Sequence, residues 1–236
     1  MRYSMLIAKK EIKSFFDSPA GYVTLAFFLI LTGWFFANPL FLIGQADLRT
    51  MFNVVPIIYI FFIPAITMGL ISKEKSSGTY ETLATFPIND SEIVMGKFFA
   101  SVGIIAFGLL FTFVHLITIL ILGKNVDFGQ FISGYFGLLL LGSVYSAIGI
   151  FGSSLSKNQI VSFLISLIIV IFFYLIQQLV IFLPQFLSAF FQYISTGYHF
   201  SNLSRGVIDT RDLIYFFSLI YGFLFLSTKI MESRKW

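Results

Sequence analysis

The chain has 236 residues, 58% hydrophobic and 19% aromatic but only 11% charged, against roughly 25% charged in an ordinary soluble domain. A small soluble domain buries only part of its surface, so a composition this apolar excludes that class and points to an all-α integral membrane protein. The net charge of +4 sits in short segments between apolar runs and does not indicate nucleic acid, and the absence of cysteine excludes disulfides and thiolate metal sites.

Residues 2–17 predict an amphipathic helix lying on the membrane. Met5, Ala8, Ile12, Phe15 and Phe16 fall on one face and Arg2, Lys9, Lys10 and Lys13 on the other, with Leu6 and Ile7 off the stripe. A basic face suits lipid headgroups, and the apolar face suits the acyl boundary. Asp17, Ser18 and Pro19 then turn the chain into its first span.

A spanning helix needs about 20 mostly apolar residues. Six such helices are predicted, near residues 20–37, 52–71, 96–122, 131–154, 160–182 and 212–230. Asn38-Pro39 is expected to end or bend the first. The fifth apolar run is too long for one helix. Pro184 divides it, and the remainder, with Gln185, Ser188, Gln192, Ser195 and His199 as polar punctuation, predicts short helices at the far interface.

Lysine and arginine favour the cytoplasmic side. With the N-terminus inside, the inner segments hold Arg2, Lys9, Lys10, Lys13, Lys73, Lys75, Lys97, Lys157, Lys229, Arg234 and Lys235. The outer segments hold only Arg49, Lys124, Arg205 and Arg211. Both termini are therefore expected in the cytoplasm.

The segment between spans two and three carries the functional signal. Gly78 permits a sharp turn. Thr79 is placed to cap a following helix, Glu81 suits its N-terminal dipole, and Pro87 stops it after about two turns. Asn89 and Glu92 resemble a capping box for span three. The expectation is a short, rigid helix over residues 79–86, parallel to the membrane, presenting Tyr80, Leu83 and Phe86.

The order Glu74, Gly78-Thr79, Glu81, Leu83, Pro87 resembles the hallmark of type-2 ATP-binding cassette (ABC) exporter permeases. The opening run from Lys10 to Tyr22, KEIKSFFDSPAGY, is similar to one branch, the gliding-motility-associated permeases and their relatives in nitrous-oxide-reductase maturation. The resemblance covers essentially the whole chain as a single domain. It implies that residues 1–18, with Lys9, Lys10, Lys13, Phe15 and Phe16, form an elbow helix. Residues 72–91 form the coupling segment, with Glu74, Gly78, Thr79, Tyr80, Glu81, Leu83, Phe86 and Pro87 engaging the ATPase. Residues 184–210 form an extracytoplasmic segment. It also implies two such permease subunits, identical or related, around a dimer interface lined by span five, with two ABC ATPase subunits beneath and room for an extracytoplasmic auxiliary protein. The setting is a bacterial inner membrane. ATP and magnesium belong to the partner. This chain holds no cofactor, catalytic residue or metal, and no phosphate loop G-x-x-x-x-G-K-[ST] occurs in it.

Other residues have plainer readings beside sharper ones. Glu74 and Glu81 suit a solvated helix flank, although surface ion pairs contribute only about 0–1 kcal/mol. His115 is the sole histidine expected inside a span, where a hydrogen bond to a neighbouring helix is favoured over a proton relay. No second histidine and no carboxylate is expected in any span, which argues against an ion-coupled transporter. Gly134, Gly137, Gly142, Gly149 and Gly152 predict close helix packing. Gln177 and Gln178 either line a translocation path or bond across to a partner subunit. A different class of function, a non-translocating scaffold for a motility or maturation complex, is distinguished by residues 72–91: a coupling subunit needs an ATPase there and a scaffold does not. A membrane-embedded enzyme ranks last, because no nucleophile–base pair stands out.

Overall fold

The computed structural model describes residues 2–42, 49–79, 88–122, 127–182 and 184–233. Among them every regular element is helical. Helix α1 (Arg2–Phe16) precedes the first long apolar helix, α2 (Pro19–Leu42). The second is built from α3 (Arg49–Thr67) and α4 (Gly69–Ser76), the third from α5 (Asp90–Phe111) and α6 (Phe113–Leu122). Helices α7 (Phe128–Leu155) and α8 (Gln159–Leu179) follow. After a 3-10 turn at Val180–Phe182 come α9 (Gln185–Ile194), α10 (Thr196–Ser204) and the last long helix, α11 (Thr210–Glu232).

Six of these helical segments are long and apolar enough to cross a membrane. The protein is multi-pass. Asn38-Pro39 does not end the first span, which continues to Leu42. Proline deletes one backbone donor, and a single deletion close to a helix end is absorbed. The sixth span is longer than its apolar run suggests, because Asp209 caps it, its Oδ1 accepting from the Arg211 N–H at 2.9 Å. Asp127 and Asn158 cap spans four and five in the same way. Asn89 stands at the N-cap of span three, but its side chain makes no capping hydrogen bond, so its half of the expected capping box is not formed.

Span four is the axis of the bundle. In its apolar window 83% of residues are buried, against 22% for spans one and five and 17% for span six. Its small residues explain why. A Cβ on Gly134 would come within 2.4 Å of the Phe52 ring, one on Gly137 within 2.8 Å of Leu203, and one on Gly149 within 2.0 Å of Thr67. Gly134 and Gly149 thus receive side chains of span two and Gly137 one of α10, the close approach that holds helices together where lipid gives no hydrophobic drive.

Spans two and three are each broken, and span four serves both breaks. Where span two breaks at Met68, the Ser153 hydroxyl accepts from the Ile71 and Ser72 N–H groups, both at 3.0 Å, and donates to the Met68 carbonyl at 2.9 Å. Where span three breaks at Thr112, the Tyr135 hydroxyl donates to the Thr112 carbonyl at 3.1 Å. Backbone at membrane depth requires such partners. Two helices follow span five, as Pro184 suggested. Helix α10 packs inward through Thr196, His199, Phe200 and Leu203, while Phe186 and Phe190 of α9 face outward.

Candidate functional site

At the end of the bundle where α1 lies, three elements meet around one buried cation. Lys97, on span three, has a side chain only 1% exposed. Its Nζ lies 2.9 Å from Glu74 Oε2 on α4 and 3.2 Å from Glu11 Oε1 on α1, and it also donates to the Leu70 carbonyl. Lys10, 65% exposed, stands outside the group at 3.9 Å from Glu74 and 4.0 Å from Glu11. Removing a lysine from water costs several kcal/mol unless carboxylates and further hydrogen bonds compensate. Here two carboxylates and a carbonyl surround it, and they come from parts of the chain far apart in sequence.

Close packing holds the cluster in place. Gly96 lets α1 approach until a Cβ there would lie 2.7 Å from the Ser4 carbonyl and from Ile7. The face of α1 that meets span three therefore runs through Ser4, Ile7, Ala8, Glu11 and Ile12. Met5 is 65% exposed, contrary to the apolar stripe read from the sequence, and Ile7 takes its place against the bundle. Helical periodicity allows both registers. The small residue on the partner selects one.

Glu74 is turned inward to Lys97, while Lys73 on the same helix is exposed. The Lys75 Nζ donates to the Ser154 carbonyl at the end of span four. Gly78 has φ 72°, the left-handed turn its residue type permits. The Thr79 hydroxyl turns back toward α4, 2.9 Å from Ser77 Oγ. Tyr80, Glu81, Leu83, Phe86 and Pro87 lie outside the described residues. Lys9 and Lys13 are exposed on α1, and Phe16 packs edge-on against Phe107 at 5.0 Å.

A second buried polar group occupies the opposite end. His199 Nδ1 lies 2.6 Å from Asp212 Oδ1, and its Nε2 lies 3.0 Å from the Tyr193 carbonyl. Asn202 Nδ2 donates to Asp212 Oδ2 at 3.1 Å, and the Tyr215 ring stacks on the imidazole at 3.9 Å. Asp212 sits in the first turn of span six and is 2% exposed. The expectation that no span carries a carboxylate is thus corrected: Asp212, at the edge of the predicted sixth span, lies buried inside a helix that begins at Thr210. Gln177 packs against Gly197, where a Cβ would lie 1.8 Å from its Oε1, while Gln178 is exposed. The two glutamines therefore face different surroundings. His115 stacks on Phe36 at 4.4 Å, and its Nδ1 has no hydrogen-bond partner among the described residues.

The family model described as ABC-2 family transporter protein matches residues 5–231. The chain belongs to that family. No curated protein matches it. An ABC-2 permease is the membrane component of an ABC transporter and is not itself the ATPase; membership implies an ABC ATPase as its partner.

In this ABC-2 permease the residues most constrained by chemistry escaped the sequence reading. Lys97 entered it only as a positive charge that set orientation, and Glu11 only as one residue of the opening run 10–22. One signal was available: an ionisable residue carried into an apolar helix is a functional candidate by default. Nothing in the sequence showed that Glu11 and Glu74, 63 positions apart (74 − 11), meet on it.

Proposed function

We propose that this ABC-2 permease is the coupling subunit of an exporter-type complex in a bacterial inner membrane, with both termini cytoplasmic. A pair of these permeases, identical or related, is driven by two cassette ATPases docked at residues 72–91. Those ATPases carry the ATP and magnesium. Cassette closure displaces the segment beyond Gly78, and that displacement enters the bundle through α4. The observation that carries this reading is the Lys97–Glu74–Glu11 cluster. It joins the helix leading into residues 72–91 both to the N-terminal helix and to span three, so a push on α4 reaches three elements at once. The similarity of residues 10–22 to the gliding-motility branch favours a role in motility, as translocation or as force transmission, with an extracytoplasmic auxiliary protein as a further partner.

The test begins with the tagged chain purified from its native membranes. An ABC ATPase is expected to copurify. Glu81→Arg is expected to abolish the permease-dependent stimulation of ATP hydrolysis while membrane insertion is unchanged. Undiminished stimulation in that variant, with the ATPase still bound, would overturn the coupling assignment.

A further inference from the structure

The end of the bundle remote from α1 is poor in cations. By sequence, the segments there hold only Arg49, Lys124, Arg205 and Arg211 of the chain's 15 lysines and arginines. Two of the four line one cavity. It encloses about 460 Å³ and is walled by Arg49, Phe52, Asn53, Gln130, Ser204 and Arg205. Among the described residues no carboxylate lines it. Asp127, one turn from Gln130, is engaged in capping span four, its Oδ1 accepting from the Gly129 and Gln130 N–H groups at 2.9 and 3.2 Å.

The walls are fixed before any ligand arrives. Phe52 forms the floor, 1% exposed, its ring against Gly134 and edge-on to Tyr135 at 5.7 Å. Gln130 Nε2 donates to the Ser204 carbonyl at 3.0 Å and so ties α10 to span four. Gly206 follows with φ 96° and packs on the Gln130 backbone. Arg205 is thereby held between a bonded residue and a left-handed glycine. Arg49 opens span two and already has a neighbour of its own. A guanidinium carries five donors, so one neighbour does not exhaust it.

We propose that this cavity binds a phosphate-bearing anion between Arg49 and Arg205, with Asn53 as a neutral partner and Gln130 as the brace. One guanidinium fork engages both oxygens of a carboxylate and leaves no free oxygen for a second fork. A phosphate keeps further oxygens for a second fork, and planar bidentate recognition of this kind is what arginine supplies and lysine does not. The shared chemistry has two sources: the headgroup of a surrounding phospholipid, or a phosphate group on a soluble or transported molecule. The inference goes beyond the coupling role and does not depend on it, because binding at this end is measured without any ATPase.

The full chain is purified in a maltoside detergent and titrated at constant ionic strength with inorganic phosphate, with acetate, and with mixed micelles of phosphatidylglycerol or of a phosphate-free galactolipid. Binding is read as a saturable rise in unfolding temperature. Phosphate or phosphatidylglycerol is expected to bind, while acetate and galactolipid do not. Arg49→Gln and Arg205→Gln are each expected to weaken binding at least tenfold. Arg205→Lys, which keeps the charge and the fold but loses the fork, is expected to fall between. Tighter binding of phosphatidylglycerol than of inorganic phosphate assigns the lipid source, and equal or weaker binding the soluble one. No binding of either probe, equal binding of acetate, or unchanged affinity in Arg205→Lys and in both glutamine variants overturns the proposal.

Discussion

The two ends of this permease both bury charge, but they use it differently. At the α1 end a lysine gathers carboxylates from α1 and α4, so the charges join elements distant in sequence. At the opposite end His199 and Asp212 are 13 residues apart, and with Asn202 and Tyr215 they bind a local hairpin to the start of span six. The first arrangement ties separate helices to one another. The second holds a short excursion of the chain in place. A bilayer penalises unpaired charge heavily wherever it sits, so each cluster must be complete, and the reach of its members along the chain decides whether it acts globally or locally.

Lys97→Met tests that contrast with the largest expected effect. It leaves Glu11 and Glu74, both largely shielded from water, with Lys10 as the cation near them among the described residues, and breaking a buried pair by removing one partner costs about 3–5 kcal/mol. The unfolding temperature in detergent is expected to fall clearly. Hydrogen exchange is expected to accelerate together in α1, in α4 and at the start of span three. Adding Glu11→Gln and Glu74→Gln to Lys97→Met should recover most of the stability, since the uncompensated charge is gone. If stability recovers and ATPase stimulation does not, the cluster's role in coupling is separated from its role in folding. Acceleration confined to α1 alone would sink the idea that the cluster joins three elements.

Asp212→Ala is the matching perturbation at the other end, with a smaller and narrower effect. It strips His199 Nδ1 and the Asn202 amide of their acceptor, and a buried donor left unsatisfied costs about 1–3 kcal/mol. Faster hydrogen exchange is expected in residues 185–204 and at the start of span six, with α1 and α4 unchanged. Spread of the change to α1 would show that the two ends are coupled and that the local reading is wrong.

What could be read from the sequence follows from what each residue type forces by itself. The six spans were legible because a bilayer demands about 20 apolar residues whatever the neighbours do. The two short helices after span five were legible from Pro184 and from the polar punctuation beyond it. The close packing of span four was legible because small residues have few other uses in a membrane helix. The clusters were not. The pairing of Lys97 with Glu11 and Glu74 depends on which face α1 turns toward span three, and that is set by the contact of Gly96 with Ser4 and Ile7, a tertiary fact with no local signature. Asp212 was missed for a simpler reason. It stands at the first position of the predicted sixth span, where a charge reads as a solvated helix start, whereas its pairing with His199 buries it.

The smallest expected effect belongs to Lys10, and it decides how self-contained the α1 cluster is. Lys10 stands within 4.0 Å of both carboxylates but is 65% exposed, so water screens it and a surface pair of this kind contributes about 0–1 kcal/mol. Lys10→Gln should therefore leave the unfolding temperature nearly unchanged and α1 as protected from exchange as before. The charge count argues the other way. Two carboxylates around one buried lysine leave a formal charge of −1, and Lys10 is the cation that neutralises it. If Lys10→Gln destabilises nearly as much as Lys97→Met, the cluster is a four-membered network in which the exposed lysine is an equal partner. If it does not, solvent at the edge of Glu11 and Glu74 supplies the missing compensation, and Lys97 alone holds α1 to the neck of the coupling segment.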